Sequence, residues 1–262
     1  MTRRAPNELF FTLFVLVVAI LVVHSAYVLH IRPTAQAILE RDRVAQIRDP
    51  AFVSERSFYV LIKDYEQEVV LILMLWAIGI IGYKARQQRV ELDADILKLP
   101  DGMRILPEDT REYSRQLESL PIEQRNLLVP RALLASLGRF GATRHVQDVS
   151  TVAHNVCQTE AERLDSELSM LRYIAWAIPA IGFIGTVRGI GDALAQAHKA
   201  VGGDISGVTE GLGVAFNSTL IALLLSILLM FLLHALQRSQ ERLVLDTETY
   251  LDQRLIRNMQ VR

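Results

Sequence analysis

Two threonines on neighbouring apolar stretches are the residues of this chain best placed to do chemistry. Thr186 lies within Ile178-Pro-Ala-Ile-Gly182-Phe-Ile-Gly185-Thr186-Val-Arg188-Gly189-Ile-Gly191, and Thr219 within Ala215-Phe-Asn217-Ser218-Thr219-Leu-Ile-Ala222. A hydroxyl donates one hydrogen bond and accepts two. Hydroxyls at membrane depth, set among small residues that let helices approach, line something polar. The pairing points to an ion path rather than to a lipid-facing anchor.

Other chemistries lack their residues. The histidines at 24, 30, 145, 154, 198 and 234 show no metal-ligand spacing. No phosphate loop, dinucleotide fingerprint or nucleophile elbow is present. Nothing reads as a soluble catalytic centre, so the chain is read as no enzyme, with no cofactor and no metal. A single cysteine, Cys157, excludes an internal disulfide. A net charge of −1 gives no nucleic-acid signature.

The elements that carry the threonines are membrane spans. The 262 residues are 51% hydrophobic, with a mean hydropathy of +0.25. A helix needs about 20 apolar residues to cross a core of about 30 Å. Four stretches qualify or nearly so: 9–31, 69–83, 172–197 and 211–236. The second gives only about 22 Å of helix, so it must borrow from Gln67–Glu68 or let Lys84 reach the interface. Arg3 and Arg4 ahead of the first stretch resemble a signal peptide, but the cleavage-like Ala35-Gln-Ala37 lies far beyond the apolar core and after Arg32. The first stretch is therefore read as a retained span.

Lysine and arginine set the orientation. Lys84–Arg172 holds 13 of the 28, the segment His198–Glu210 holds one, and the tail after Leu236 holds five. The expected order is a cytoplasmic N-terminus (1–8), a periplasmic loop at 32–68, a cytoplasmic helical domain at 84–171, a second periplasmic loop at 198–210 and a cytoplasmic C-terminal helix at 237–262. Prolines 100, 107, 121 and 130 and glycines 102, 138 and 141 punctuate the large domain. Helices are expected over Glu108–Ser119, over Ile122–Gly138 and from Val146 into the third span. Leu236, Leu243 and Tyr250 recur at seven, so the fourth span should also continue beyond the membrane. The fold class is an all-α membrane protein with four spans, the last two extended into the cytoplasm.

Helical geometry places Ala175, Gly182, Gly185, Thr186, Gly189 and Ala193 within about 100° of one face. Gly185 and Gly189 form a G-x-x-x-G pair, suited to close packing in lipid. Ala215, Thr219, Ala222 and Ser226 make a matching stripe on the fourth span. Thr186 lies about 21 Å from the inner end of its span and Thr219 about 12 Å from the outer end of its own, which is similar depth. The same stripes also suit a chain whose glycines and threonines only pack helices. Arg188, about 24 Å from the inner end, can pair with Asp192 four residues on, as a structural pair or partner contact. Asp192 and Glu210 sit near the outer edge, and no span shows a carboxylate near mid-membrane. A proton relay needs a titratable group, so a partner should supply it.

The run Phe183-Ile-Gly185-Thr186-Val-Arg-Gly189-Ile, followed by Ser218-Thr219 on a small-residue stripe, resembles the MotA/TolQ/ExbB proton-channel family over about Leu168–Leu236. Four spans with a large loop between the second and third look like the MotA arrangement; the core motif looks more like TolQ and ExbB. Arg188 stands where the family often has a bulky apolar residue. The resemblance implies a ring of five subunits in a bacterial inner membrane around a pair of single-span MotB/ExbD/TolR-like partner helices, each carrying a membrane aspartate. It implies that Thr186 and Thr219, with Ser218 beside them, line the path of protons or sodium ions and that ion flow drives a motor; Gly182, Gly185, Gly189, Ala215 and Ala222 are read from their spacing as the residues that pack the helices. The rival is a non-conducting membrane scaffold. A substrate transporter is disfavoured: no inverted repeat shows, and no broken-helix pair beyond Pro179.

Overall fold

In chain order the computed structural model contains α1 (Arg4–Ala26), α2 (Arg32–Arg48), α3 (Phe58–Leu61), α4 (Tyr65–Leu92), α5 (Thr110–Glu118), α6 (Ile122–Arg125), α7 (Leu128–Thr143), α8 (Val146–Glu167), α9 (Ser169–Ala195), α10 (Ala197–Val201) and α11 (Ser206–Tyr250). It describes residues 4–49, 52, 57–92 and 104–260. The expected breaks at Pro100 and Gly102 lie outside them. No strand forms among the described residues, and four helices are long and apolar enough to cross a membrane. The chain divides into two compact units, one of residues 1–82 and 170–233, the other of 83–169 and 234–262.

In the first unit, α1 runs through a π turn at Tyr27–Ile31 directly into α2. The segment expected as a loop from Arg32 is thus helical as far as Arg48. Pro33 lacks an N–H and its ring crowds the carbonyl four residues back. The wider turn ahead of it, in which the Arg32 N–H reaches the Tyr27 carbonyl, lets the helix pass the proline without ending. Trp76 of α4 donates its indole N–H to the Thr12 carbonyl of α1 at 3.0 Å. A Cβ on Gly79 would collide with the Val15 side chain, so this glycine allows α1 and α4 to close. Near the start of α4, Glu68 binds Arg32 and lies 2.6 Å from His24 Nδ1. The Arg32 guanidinium stacks 4.3 Å from the Tyr65 ring centroid.

The small-residue stripes of α9 and α11 face each other within this unit. A Cβ on Gly189 would meet the Gly211 carbonyl oxygen at 2.5 Å and the Ala215 nitrogen at 2.6 Å; one on Gly185 would meet Ser218 Cβ at 2.5 Å; one on Gly182 would collide with the Ala222 methyl. Pro179 explains one further interaction. It cannot donate to the Ala175 carbonyl, and Ser226 Oγ of α11 donates to that oxygen instead, at 3.4 Å. Bulky side chains point away from the seam, among them Phe183, Leu194, Phe216 and Ile227, as suits lipid or neighbouring helices.

In the second unit, α7 and α8 pack around Leu133, Leu137, Phe140, Val149, Ala153 and Cys157, and Leu243, Leu251 and Leu255 close the core. Burial pushes the Cys157 thiol up to about 11, which makes it a core side chain rather than a nucleophile. The single helix expected over Ile122–Gly138 is two. Pro130 clashes with a helical carbonyl at position 126, so the chain breaks at Asn126–Leu127 and restarts with Pro130 in the first turn of α7, where its missing N–H costs nothing. Arg144 ends α7 in the left-handed region, φ 56°.

Charges tie this unit together. Lys84 Nζ, nearly fully buried, donates to Glu167 at 3.0 Å, and Arg163 Nε donates to the same carboxylate at 3.0 Å. Burial disfavours the Glu167 charge, but these two donors outweigh it and hold the carboxyl below its ordinary range. A depressed carboxyl contributes stability above its unfolded value of about 4.3, and that contribution is lost as pH falls through the folded value. Glu167→Gln should therefore lower stability at pH 7 by on the order of 2 kcal/mol. It should also flatten the acid limb of the stability curve below about pH 4, since the group that titrates there is gone. Thermal unfolding in detergent from pH 7 to 3 checks this. Parallel wild-type and variant curves would show that the pair contributes nothing on folding.

Candidate functional site

The seam between α9 and α11 positions the two threonines. Their helices run antiparallel, glycine and alanine remove the side chains that would hold them apart, and Thr186 and Thr219 arrive opposite each other. Their hydroxyls are in direct hydrogen-bond contact. Thr186 Oγ1 also faces the Gly182 and Ala215 carbonyl oxygens, each at 3.3 Å, and Thr219 Oγ1 faces the Gly182 carbonyl at 3.2 Å. Both side chains are partly exposed rather than sealed in the core.

Two hydroxyls carry two protons, yet this group offers four donor–acceptor pairings. One arrangement has Thr186 donating to Thr219 and Thr219 to the Gly182 carbonyl. The other has Thr219 donating to Thr186 and Thr186 to the Ala215 or Gly182 carbonyl. Rotation of two hydroxyls interconverts them, and in either the oxygens keep lone pairs free to accept from a protonated group or an ordered water. Such a site can pass a hydrogen bond in either direction without moving backbone.

Ser218 stands apart from this pair. It is 1% exposed, its Oγ has no hydrogen-bond partner among the described residues, and it packs at Gly185. It is one residue from Thr219 and therefore turned about 100° around the helix. Glu66 also packs at Gly185: a Cβ there would lie 2.7 Å from Ser218 Oγ and 3.1 Å from Glu66 Cγ.

Glu66 is the residue that sequence reasoning missed. Arg188 Nε and Nη2 donate to its two carboxylate oxygens at 2.6 and 2.8 Å, whereas Asp192 lies 3.7 Å from Arg188 Nη1. The expected Arg188–Asp192 pair is thus the weaker of two, and the planar guanidinium takes the bidentate partner. Helix α4 begins at Tyr65, four residues ahead of the expected span, so Glu66 and Glu68 belong to its first turn. The sequence does hold a signal: the second stretch is too short to span, and an arginine at membrane depth needs a partner.

Beside this pair a cavity of about 500 Å³ opens, lined by Lys63, Asp64, Arg188, Asp192, Lys199 and Glu210 among others, with Gly211 and Val214 in its wall. Val214 is one residue from Ala215, whose carbonyl faces Thr186.

Residues 126–249 match the family model of the MotA/TolQ/ExbB proton channel family. The match reaches beyond the two spans into α7 and α8, where no motif of the sequence points to the family. No curated protein and no solved structure matches the chain. The stretch that carries the facing threonines is thus similar to the MotA/TolQ/ExbB proton channel family over residues 126–249.

Proposed function

We propose that this chain is the ring-forming stator subunit of an ion-driven motor in a bacterial inner membrane. The unit of residues 83–169 and 234–262 faces the cytoplasm, where lysine and arginine concentrate, and the ends of α9 and α11 near Ala195 and Ser206 face outward. The family works with a single-span partner. Here five copies would surround a pair of partner helices, each with a membrane aspartate that takes up and releases the proton. The observation that carries this reading is the Thr186–Thr219 hydroxyl pair, partly exposed in a glycine- and alanine-lined seam inside the matched domain.

The scaffold reading keeps one observation on its side. The same hydroxyls are satisfied by the Gly182 and Ala215 carbonyls within the chain, as packing alone would require. The expected result that separates the two is assembly and flux. Native mass spectrometry of the full chain, isolated in mild detergent with its membrane partner, should count five copies, and liposomes holding the complex should acidify under an imposed proton gradient. A monomeric chain, or a ring that passes no ions, would favour the scaffold.

A further inference from the structure

A second cavity, of about 600 Å³, opens within the unit of residues 83–169 and 234–262, between α5 and α7. Arg111, Arg115 and Arg144 all line it. Arg111 and Arg115 stand one turn apart on one face of α5, where like charges destabilise a helix. Arg144 follows α7 with φ 56°, in the left-handed region where glycine is the usual residue. The floor between them is bare backbone: Gly138 and Gly141 of α7 line the cavity, and a Cβ on Gly138 would meet nothing within 4 Å. Glu108 and Glu118 line the same cavity. Yet none of the three guanidiniums has an ion pair or hydrogen-bond partner among the described residues.

We propose that this cavity is an anion site for a small phosphate-bearing ligand, held by the guanidiniums of Arg111, Arg115 and Arg144. The site is separate from the ion path and does not rest on it. A guanidinium presents a planar fork of donors that matches phosphate oxygens in pairs. Three of them outnumber the single charge of a carboxylate and suit a group with two or more charges. Ser114, on the same helix as Arg111 and Arg115, adds a hydroxyl to the wall. The volume lies in the range of small-molecule sites. No aromatic side chain lines the cavity, so a nucleobase would find no stacking face, and the phosphate itself is what the wall can recognise. Glu108 and Glu118 offset part of the positive field, so they limit affinity rather than supply it. The arginines come at a cost to the fold. Like charges one turn apart, and arginine where glycine fits better, are local choices that lower stability, and such choices collect at functional sites.

The competing account is three solvated surface arginines. The test titrates pyrophosphate calorimetrically into the full chain in detergent, in a buffer free of phosphate. The site predicts saturable binding of one pyrophosphate per chain, weakening as salt is raised. R111Q/R115Q should weaken it about tenfold or more, through lost charge-assisted hydrogen bonds. R144G is the sharper variant. Glycine takes a positive φ at no steric cost, so the unfolding midpoint should hold or rise while binding weakens about tenfold. E108Q/E118Q should bind more tightly than wild type, because two charges that repel the ligand are gone. Solvated arginines predict no saturable binding, and that result overturns the site. Equal binding by wild type and R144G overturns it too. Should R111Q/R115Q fail to fold, R144G decides. A parallel titration with dihexanoyl phosphatidic acid, kept below its micelle-forming concentration, names the source of the phosphate: tighter binding than pyrophosphate assigns a lipid headgroup, weaker binding a soluble phosphate.

Discussion

Thr219→Val, and likewise Thr186→Val, should abolish most ion-driven activity while the complex still assembles. Valine keeps the shape of threonine and removes the hydroxyl. The hydrogen bonds lost run to the Gly182 and Ala215 carbonyls, and interhelical bonds of this kind average only about 0.6 kcal/mol in membranes. Folding therefore loses little. Function loses more, because the two-proton circuit cannot run through a methyl: with either hydroxyl gone the remaining one can donate only to backbone carbonyls and no longer to a second hydroxyl. Thr→Ser restores the hydroxyl and leaves a gap of one methyl, worth about 1 kcal/mol. Serine should thus recover much of the flux at a small loss of stability. Packing alone predicts the reverse order, with valine active and serine impaired. Flux and subunit count for both substitutions at both positions give the answer, and an active valine pair would remove the threonines from the ion path.

The similar depth of Thr186 and Thr219 is legible in the sequence because it depends only on counting, whereas the contact between their hydroxyls is seen only in the structure. Each lies a known number of residues from the end of an apolar stretch, and the helical rise turns that number into depth. The stripes are legible for the same reason, since period and small size are properties of the sequence itself. What is not legible depends on where a helix starts and on which distant side chain comes near. Glu66 reads as loop because charged residues end an apolar window, yet α4 begins at Tyr65, with Glu66 turned to Arg188. Asp192 is the natural partner for Arg188 on local spacing, and a residue 122 positions away takes its place by better geometry. The glycines read as a face for close helix approach, and the structure uses them inside one chain, between α9 and α11. Gly185→Leu should accordingly disturb this hairpin before it disturbs any ring.

The same substitution two residues apart should have opposite effects in that hairpin. Gly191→Ala places a methyl where nothing lies within 4 Å, and alanine is the better helix former by about 1 kcal/mol. It should be neutral or mildly stabilising. Gly189→Ala gains the same propensity but drives its methyl onto the Gly211 carbonyl oxygen at 2.5 Å, the Ala215 nitrogen at 2.6 Å and the Ala215 Cα at 3.0 Å. All three are backbone atoms, so no rotamer change can relieve the overlap. The close approach is reciprocal: a Cβ on Gly211 would meet the Gly189 carbonyl and the Ala193 nitrogen, each at 2.7 Å. The helices must separate, and overpacking of this kind costs about 1–3 kcal/mol. Separation here also pulls apart the seam one turn away, where Thr186 reaches the Ala215 carbonyl at 3.3 Å. Gly189→Ala should therefore lower the unfolding midpoint in detergent and reduce flux together, while Gly191→Ala changes neither for the worse. Indistinguishable unfolding of the two variants would mean that α9 and α11 do not approach at Gly189, and the geometry that brings the hydroxyls together would fall with it.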